Sequence, residues 1–357
     1  MNDGAKWLVD LKINHKSMKQ NKEFFIGIDV SKLWFDVSLM VIINHQKQAI
    51  VTQRFNNTVQ GIQNLHQWFK EQQVSFTENS LAVIENTGIY HRLIWQYCSK
   101  YNLPLHIGNA AAIKWSLGIT RGKNDKIDSQ RLCMYAARHA DELKATPALD
   151  PVFMQLKDLM TARRHLVAQL NGICNYLKEL RNSPHAGMTK IIEQSHKQAI
   201  EGIKKSIRKI EQHITAIIEA NTTIRKNYEL LKTIPGIGHL TAVYLICCTN
   251  NFAAKYSGKQ LASYAGVVPF DHSSGTSIKS KSRVHKMANK DLKKMLHLCA
   301  LTAIKYYPEF TTYFKRKKAE GKNGMSVLNA IKNKLVLRVV AVVNNQAPYV
   351  DYTKEAA

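Results

Sequence analysis

"FFIGIDVSKLWFDVSLMVI", residues 24–42, decides the fold. Two runs rich in β-branched and aromatic residues, 24–30 and 35–42, flank the polar break Ser31-Lys32, so the stretch reads as a hairpin. "QAIVTQRF" (48–55) supplies a third strand. From residue 58 the apolar period lengthens from two to three and four. Val59, Ile62, Leu65, Trp68 and Phe69 fall on one helical face, with Thr58 placed as its N-cap. "SLAVIE" (80–85) reads as a short buried strand, "YHRLIWQYCSKY" (90–101) as a helix and "LPLHIG" (103–108) as a strand, with helices continuing to about residue 140.

The order β-β-β-α-β-α-β-α, a meander followed by α/β units, predicts a ribonuclease-H-like, RuvC-like domain over residues 23–145, after an N-terminal extension over 1–22. Residues 146–228 carry two long amphipathic runs, 153–181 and 200–224, on either side of "NSPHAGM". They predict a helical hairpin connector without a strict heptad. Residues 229–350 predict a second, mainly helical domain, and 351–357 a tail. That domain opens on "TIPGIG" (233–238), which reads as a helix-hairpin-helix-like turn. There Gly236 and Gly238 would let the backbone approach a phosphate.

Charge narrows the class of partner. The chain has 51 Lys and Arg against 26 Asp and Glu in 357 residues, a formal charge of +25, which points to a polyanion, above all nucleic acid. The interval 255–338 holds 18 Lys and Arg against 4 acids and is the electrostatic centre. With 45% hydrophobic residues the chain builds true cores and is not a basic tail. No apolar run reaches membrane-spanning length, and the start lacks the apolar core of a signal peptide. None of the six cysteines forms a C-x-x-C pair, so they read as reduced, mostly buried thiols of a cytoplasmic protein.

Within so basic a chain the acids stand out. Asp29 ends an apolar strand, where an unpaired carboxylate is costly. Glu85 ends another. "RGKNDKIDSQRL" (121–132) places Asp125 and Asp128 three apart, on one helical face. A solvated salt-bridge network and a strand-end cap would each explain one of these. In the fold predicted here, the two strand ends are neighbours and the D-x-x-D helix closes over them. Four hard oxygen donors then suit Mg²⁺ or Mn²⁺. Lys123, Lys126 and Arg131, interleaved with the acids, would approach a phosphate backbone.

"GIDVSK", "IENTGIY", "KNDKIDSQRL", "TIPGIG" and "SSGTSIKSKSRVHKMANKDLKKML", in that order over residues 24–345, resemble the DEDD transposases of bacterial insertion sequences, relatives of the Piv-type DNA invertases. Two motifs depart slightly from the usual EATGxY and KTDKxDA patterns, and both keep their acids. The resemblance implies that Asp29, Glu85, Asp125 and Asp128 are the four acids of a Mg²⁺ site. It also implies a nucleophilic serine before a glycine, which is Ser274, with Ser273 in reserve, beside Lys279, Lys281, Arg283 and Lys286. The implied chemistry is recombination of donor and target duplex DNA through a covalent phosphoserine–DNA intermediate. A structured guide RNA and a homo-oligomer, a dimer or dimer of dimers associated with the nucleoid, are implied with it. The rival is a metal-dependent junction resolvase or nuclease of the same fold, in which water attacks.

Overall fold

The computed structural model describes residues 22–77, 79–118, 124–148, 150–182, 186–274, 278–284 and 287–350. The extension (apart from Lys22), the tail, Lys123, Gly275 and Lys286 lie outside the described residues. The chain divides into two compact units, 1–149 and 150–357.

The first unit is mixed α/β. Its strands are β1 (Lys22–Val30), β2 (Trp34–Ile43), β3 (Gln46–Lys47), β4 (Val51–Asn56), β5 (Ser80–Glu85) and β6 (Leu105–Gly108). Helices α1 (Val59–Glu71), α2 (Arg92–Tyr101), α3 (Ala110–Ser116) and α4 (Asp125–Arg138) complete it. The strands form one six-stranded sheet in the order β3-β2-β1-β5-β6, with β4 also paired to β2. The hairpin β1–β2 is antiparallel, whereas β5 and β6 join β1 in parallel. Thr58 caps α1 by accepting from the Gly61 N–H, as the spacing predicts.

Period-two alternation sorts this sheet into two faces. Ile26, Ile28, Phe35, Val37, Ala82 and Ile84 belong to one apolar cluster, with Leu65 and Phe69 of α1 and Ile94 of α2. The interleaved Phe25, Met40, Leu81 and Val83 belong to a smaller cluster, with Leu132, Cys133 and Ala136 of α4. By the same alternation Asp29, Asp36 and Glu85 fall on the α4 face. Gly27 sets the distance of that helix: a Cβ there would lie 2.1 Å from the Cys133 nitrogen and 2.2 Å from the Ser129 carbonyl oxygen. No side chain fits, and α4 lies directly on the strand. The Cys133 thiol donates to the Phe25 carbonyl at 3.1 Å, and the buried Ser129 and Ser38 hydroxyls meet at 2.8 Å.

The second unit is mainly helical. It contains α5 (Pro151–Leu180), α6 (Ala186–Ala220), α7 (Thr222–Lys232), α8 (His239–Thr249), α9 (Gly258–Tyr264), α10 (Lys290–Tyr306), α11 (Pro308–Ala319) and α12 (Gly324–Asn345). Helix α5 appears where the periodicity predicts it, whereas α6 begins 14 residues before the predicted run and ends at Ala220, with α7 starting at Thr222; Pro184 lies outside the described residues. Asp150 caps α5, and Pro151 occupies the first helical position, where its missing N–H costs nothing. The hairpin is not a free-standing spacer. Phe153, Leu156 and Met160 of α5 and Ile214 and Ile218 of α6 are buried in one core with α7, α8, α10 and α12.

One short two-stranded sheet was not among the predicted elements. Residues Phe270–Ser274 (β7) and Ile278–Arg283 (β8) pair as an antiparallel two-stranded sheet. Both stretches, FDHSS and IKSKSR, are mostly polar, so their alternation carries little signal.

Candidate active site

Asp29 and Glu85 sit at the carboxyl ends of adjacent parallel strands, one residue beyond the register pair Ile28–Ile84. The Asn86 N–H donates to the Gly108 carbonyl at 3.1 Å, anchoring the start of the turn after Glu85. The Asn57 side chain ties the two site-bearing turns together: its amide donates to the Ser31 and Tyr90 carbonyls, each at 2.9 Å. Asp125 and Asp128 occupy the first turn of α4, where carboxylates complement the helix dipole. Asn124 caps that helix, accepting from the Lys126 N–H at 3.0 Å.

Electrostatics link all four acids. The half-buried Asp29 carboxyl is pushed up to about 6, first by burial and then by the charges of Asp125, Asp128, Glu85 and Asp36. This is a field of like charges facing a partly desolvated carboxyl. Among the described residues no group of three His, Cys, Asp or Glu side chains is gathered tightly enough to hold one ion. A cation would therefore draw these carboxylates closer than they stand.

The sequence reading missed Asp36, Arg54 and Trp34. Asp36 is directly opposite Asp29 across the hairpin and only 3% exposed. Arg54 of β4 grips it in a fork, Nε at 3.1 Å from one oxygen and Nη2 at 2.7 Å from the other. The same Nη2 reaches Asp125 Oδ2 at 3.2 Å. Trp34 Nε1 donates to that oxygen too, at 3.2 Å, while its ring lies 5.1 Å from the guanidinium. An acid in an apolar strand, the signal used for Asp29, also marks Asp36.

The residues expected to contact nucleic acid are differently placed. Lys126 is exposed on α4. Arg131 pairs with Asp128 at 2.8 Å and is 15% exposed. Gly236 has φ +80°, and a Cβ there would lie 2.4 Å from the Cys299 carbonyl oxygen of α10. The turn needs glycine at this position for packing. Gly238 is exposed, begins α8 and has open space around it. Lys279, Lys281 and Arg283 lie on β8, and Ser273 and Ser274 on β7; the register pairs Ser273 with Lys279 and Ser274 with Ile278. Lys123 and Lys286 lie outside the described residues.

The chain thus carries a strand-end acid pair beside a D-x-x-D helix in its first unit and a mainly helical second unit after it. Two family models match the chain in that order. A DEDD-type IS110 model described as "Transposase" covers residues 26–181, and one described as "Transposase IS116/IS110/IS902 family" covers 228–315. The chain belongs to this IS110-type transposase family. Among individual proteins, it is 29% identical over 329 residues to the pilin gene-inverting protein of Moraxella bovis, covering 91% of this chain and 97% of that protein. It is 27% identical over 166 residues to an uncharacterized 43.6 kDa protein of insertion element IS110 from Streptomyces coelicolor, covering 46% of this chain and 40% of that protein. Among the described residues no helix is long and apolar enough to cross a membrane.

Proposed function

We propose that this chain, an enzyme of the DNA transposase and recombinase class, exchanges phosphodiester bonds of duplex DNA through a serine, with Asp29, Glu85, Asp125 and Asp128 holding divalent metal. The first unit is then a ribonuclease-H-like domain. Its meander, its parallel additions and the order β3-β2-β1-β5-β6 support that reading. The observation that carries the metal site is the Asp29 carboxyl, pushed up to about 6 by burial and by the other three acids together with Asp36. Carboxylates that repel one another in a partly dry site are hard oxygen donors for Mg²⁺ or Mn²⁺. The bound metal would supply charge neutralisation for phosphoryl oxygens.

The residues of this chain perform the remaining steps. The Ser274 Oγ gives up its proton and attacks phosphorus. The P–O bond to one sugar oxygen breaks, and that oxygen leaves as a hydroxyl after taking a proton. One diester is exchanged for another, so the link to the protein keeps the bond energy needed for rejoining. The strands re-form when a sugar hydroxyl attacks the phosphoserine and the serine leaves. Cations of β8 and the basic interval 255–338 would hold DNA phosphates and, by the same chemistry, a structured guide RNA pairing with donor and target. Two duplexes brought together imply an oligomer, a dimer or a dimer of dimers.

A nicked DNA substrate should trap a denaturant-stable protein–DNA adduct, mapped to Ser274 by mass spectrometry. Ser274→Ala should lose the adduct and keep DNA binding. Asp125→Ala should reduce recombination at least about 100-fold with the fold intact. Metal-dependent cleavage to free ends, with no adduct in the parent protein, would establish water as the nucleophile.

A further inference from the structure

Beside the acids lies a chain of contacts that the four-acid arrangement alone does not require. Asp36 is buried and clamped in the Arg54 fork. The guanidinium is half exposed and reaches past Asp36 to Asp125 Oδ2. Trp34 donates to the same oxygen. Both donors thus converge on Oδ2, and neither touches Oδ1. The three residues come from neighbouring positions of paired strands, with Asp36 opposite Arg54 and Asp29 opposite Asp36. Backbone register therefore fixes their spacing, and Arg54 gains rigidity from a partner that has almost no contact with water.

A carboxylate that binds a cation through one oxygen is oriented by donors on the other. Arg54 also offsets the charge that Asp36 adds to an already repulsive cluster. Asp36 alone would be a buried, uncompensated anion.

Resting on the four-acid metal site, we propose that Arg54 and Trp34 are positioning residues that hold Asp125 Oδ2 and so present Oδ1 to the metal, with Asp36 as the buried anchor of Arg54.

The test is Mn²⁺ binding to the full-length, metal-free protein, followed by electron paramagnetic resonance or calorimetry, without DNA and without turnover. Trp34→Phe removes one N–H and keeps the ring beneath Arg54. Arg54→Lys keeps the charge and loses the fork. Each should weaken Mn²⁺ binding about 10-fold, within the range found when such outer partners are removed. Trp34→Phe should leave the metal-free melting temperature unchanged. Asp36→Asn should weaken binding similarly, and combining it with Arg54→Lys should add little, because the two act as one unit. Parental affinity in both Trp34→Phe and Arg54→Lys would overturn the proposal. Tighter binding would also overturn it, since the donors would then compete with the metal for Asp125. If Asp125→Ala binds Mn²⁺ as the parent does, or the parent binds none, the four-acid metal site itself is wrong and the inference falls with it.

Discussion

On one face of the six-stranded sheet, Phe35, Leu65, Phe69 and Ile94 meet as a continuous apolar layer between strands and α1–α2. On the other, α4 rests on Gly27 and touches the strands through the Ser129 hydroxyl and the Cys133 thiol as well as through carbon. The first face buries more large side chains and has no member of the acidic cluster. The second buries less and carries Asp29, Asp36 and Glu85 at one end. Stability is concentrated on one side of the sheet and position on the other. A carboxylate cluster is tolerated because the opposite face supplies the hydrophobic surplus that offsets it.

The comparison is open to attack from its strongest side first. Phe69 is 1% exposed and packs against Trp68, Phe76 and Tyr97. Phe69→Ala should cost about 3–5 kcal/mol in urea unfolding. Under conditions where the variant stays folded, its Mn²⁺ affinity should match the parent's. A parallel loss of affinity would mean that the two faces are not separable.

Gly27→Ala attacks the other face. Its methyl group would meet backbone atoms of α4, which cannot rotate away, so the helix must lift. About 1–3 kcal/mol of stability should be lost, less than for Phe69→Ala, yet Mn²⁺ affinity should fall. Unchanged metal binding in a folded Gly27→Ala protein would show that the seat of α4 does not set the site.

The smallest effect has the opposite sign. The Asp29 carboxyl, at about 6 rather than its ordinary 3.8, binds its proton more tightly in the folded state than in the unfolded one. The contribution of this group to the stability of the metal-free protein is therefore greatest below about pH 4, falls as pH rises towards 6 and levels off above it. Asp29→Asn should remove that slope. At pH 7 the variant should be more stable by about 1–2 kcal/mol, a value reduced for the partial exposure of the group, and at pH 4 the two should be equal. Thermal melts at the two pH values decide it. An Asn variant less stable at pH 7 would mean that the carboxylate is compensated and not repelled.

What could be read from the residues follows the same division. The hairpin, the Thr58 cap and the acids at the ends of β1 and β5 were legible because each lies in an apolar background that makes the period and its exceptions visible. Asp36 follows the same alternation but was hidden by its partner. Arg54 is 18 residues away, and only the β2–β4 register brings the two together. The ion pair of Arg131 with Asp128 was not legible, since nothing in the chain order shows that its guanidinium turns back onto that acid. The packing role of Gly236 was hidden for a similar reason: its neighbour Cys299 is remote in sequence and near only after folding. The β7–β8 pairing escaped because its two stretches are short and mostly polar in sequence.

The thiol of Cys133 gives the α4 seam a chemical clock. It is fully buried, donates to a strand carbonyl and is pushed up to about 12 by burial, so it is inert to alkylation while the helix stays seated. Cys174, exposed on α5, has no such protection. In a single reaction with a maleimide, the prompt labelling of Cys174 calibrates the reagent. The lag before Cys133 is modified counts how often the acidic helix leaves its sheet.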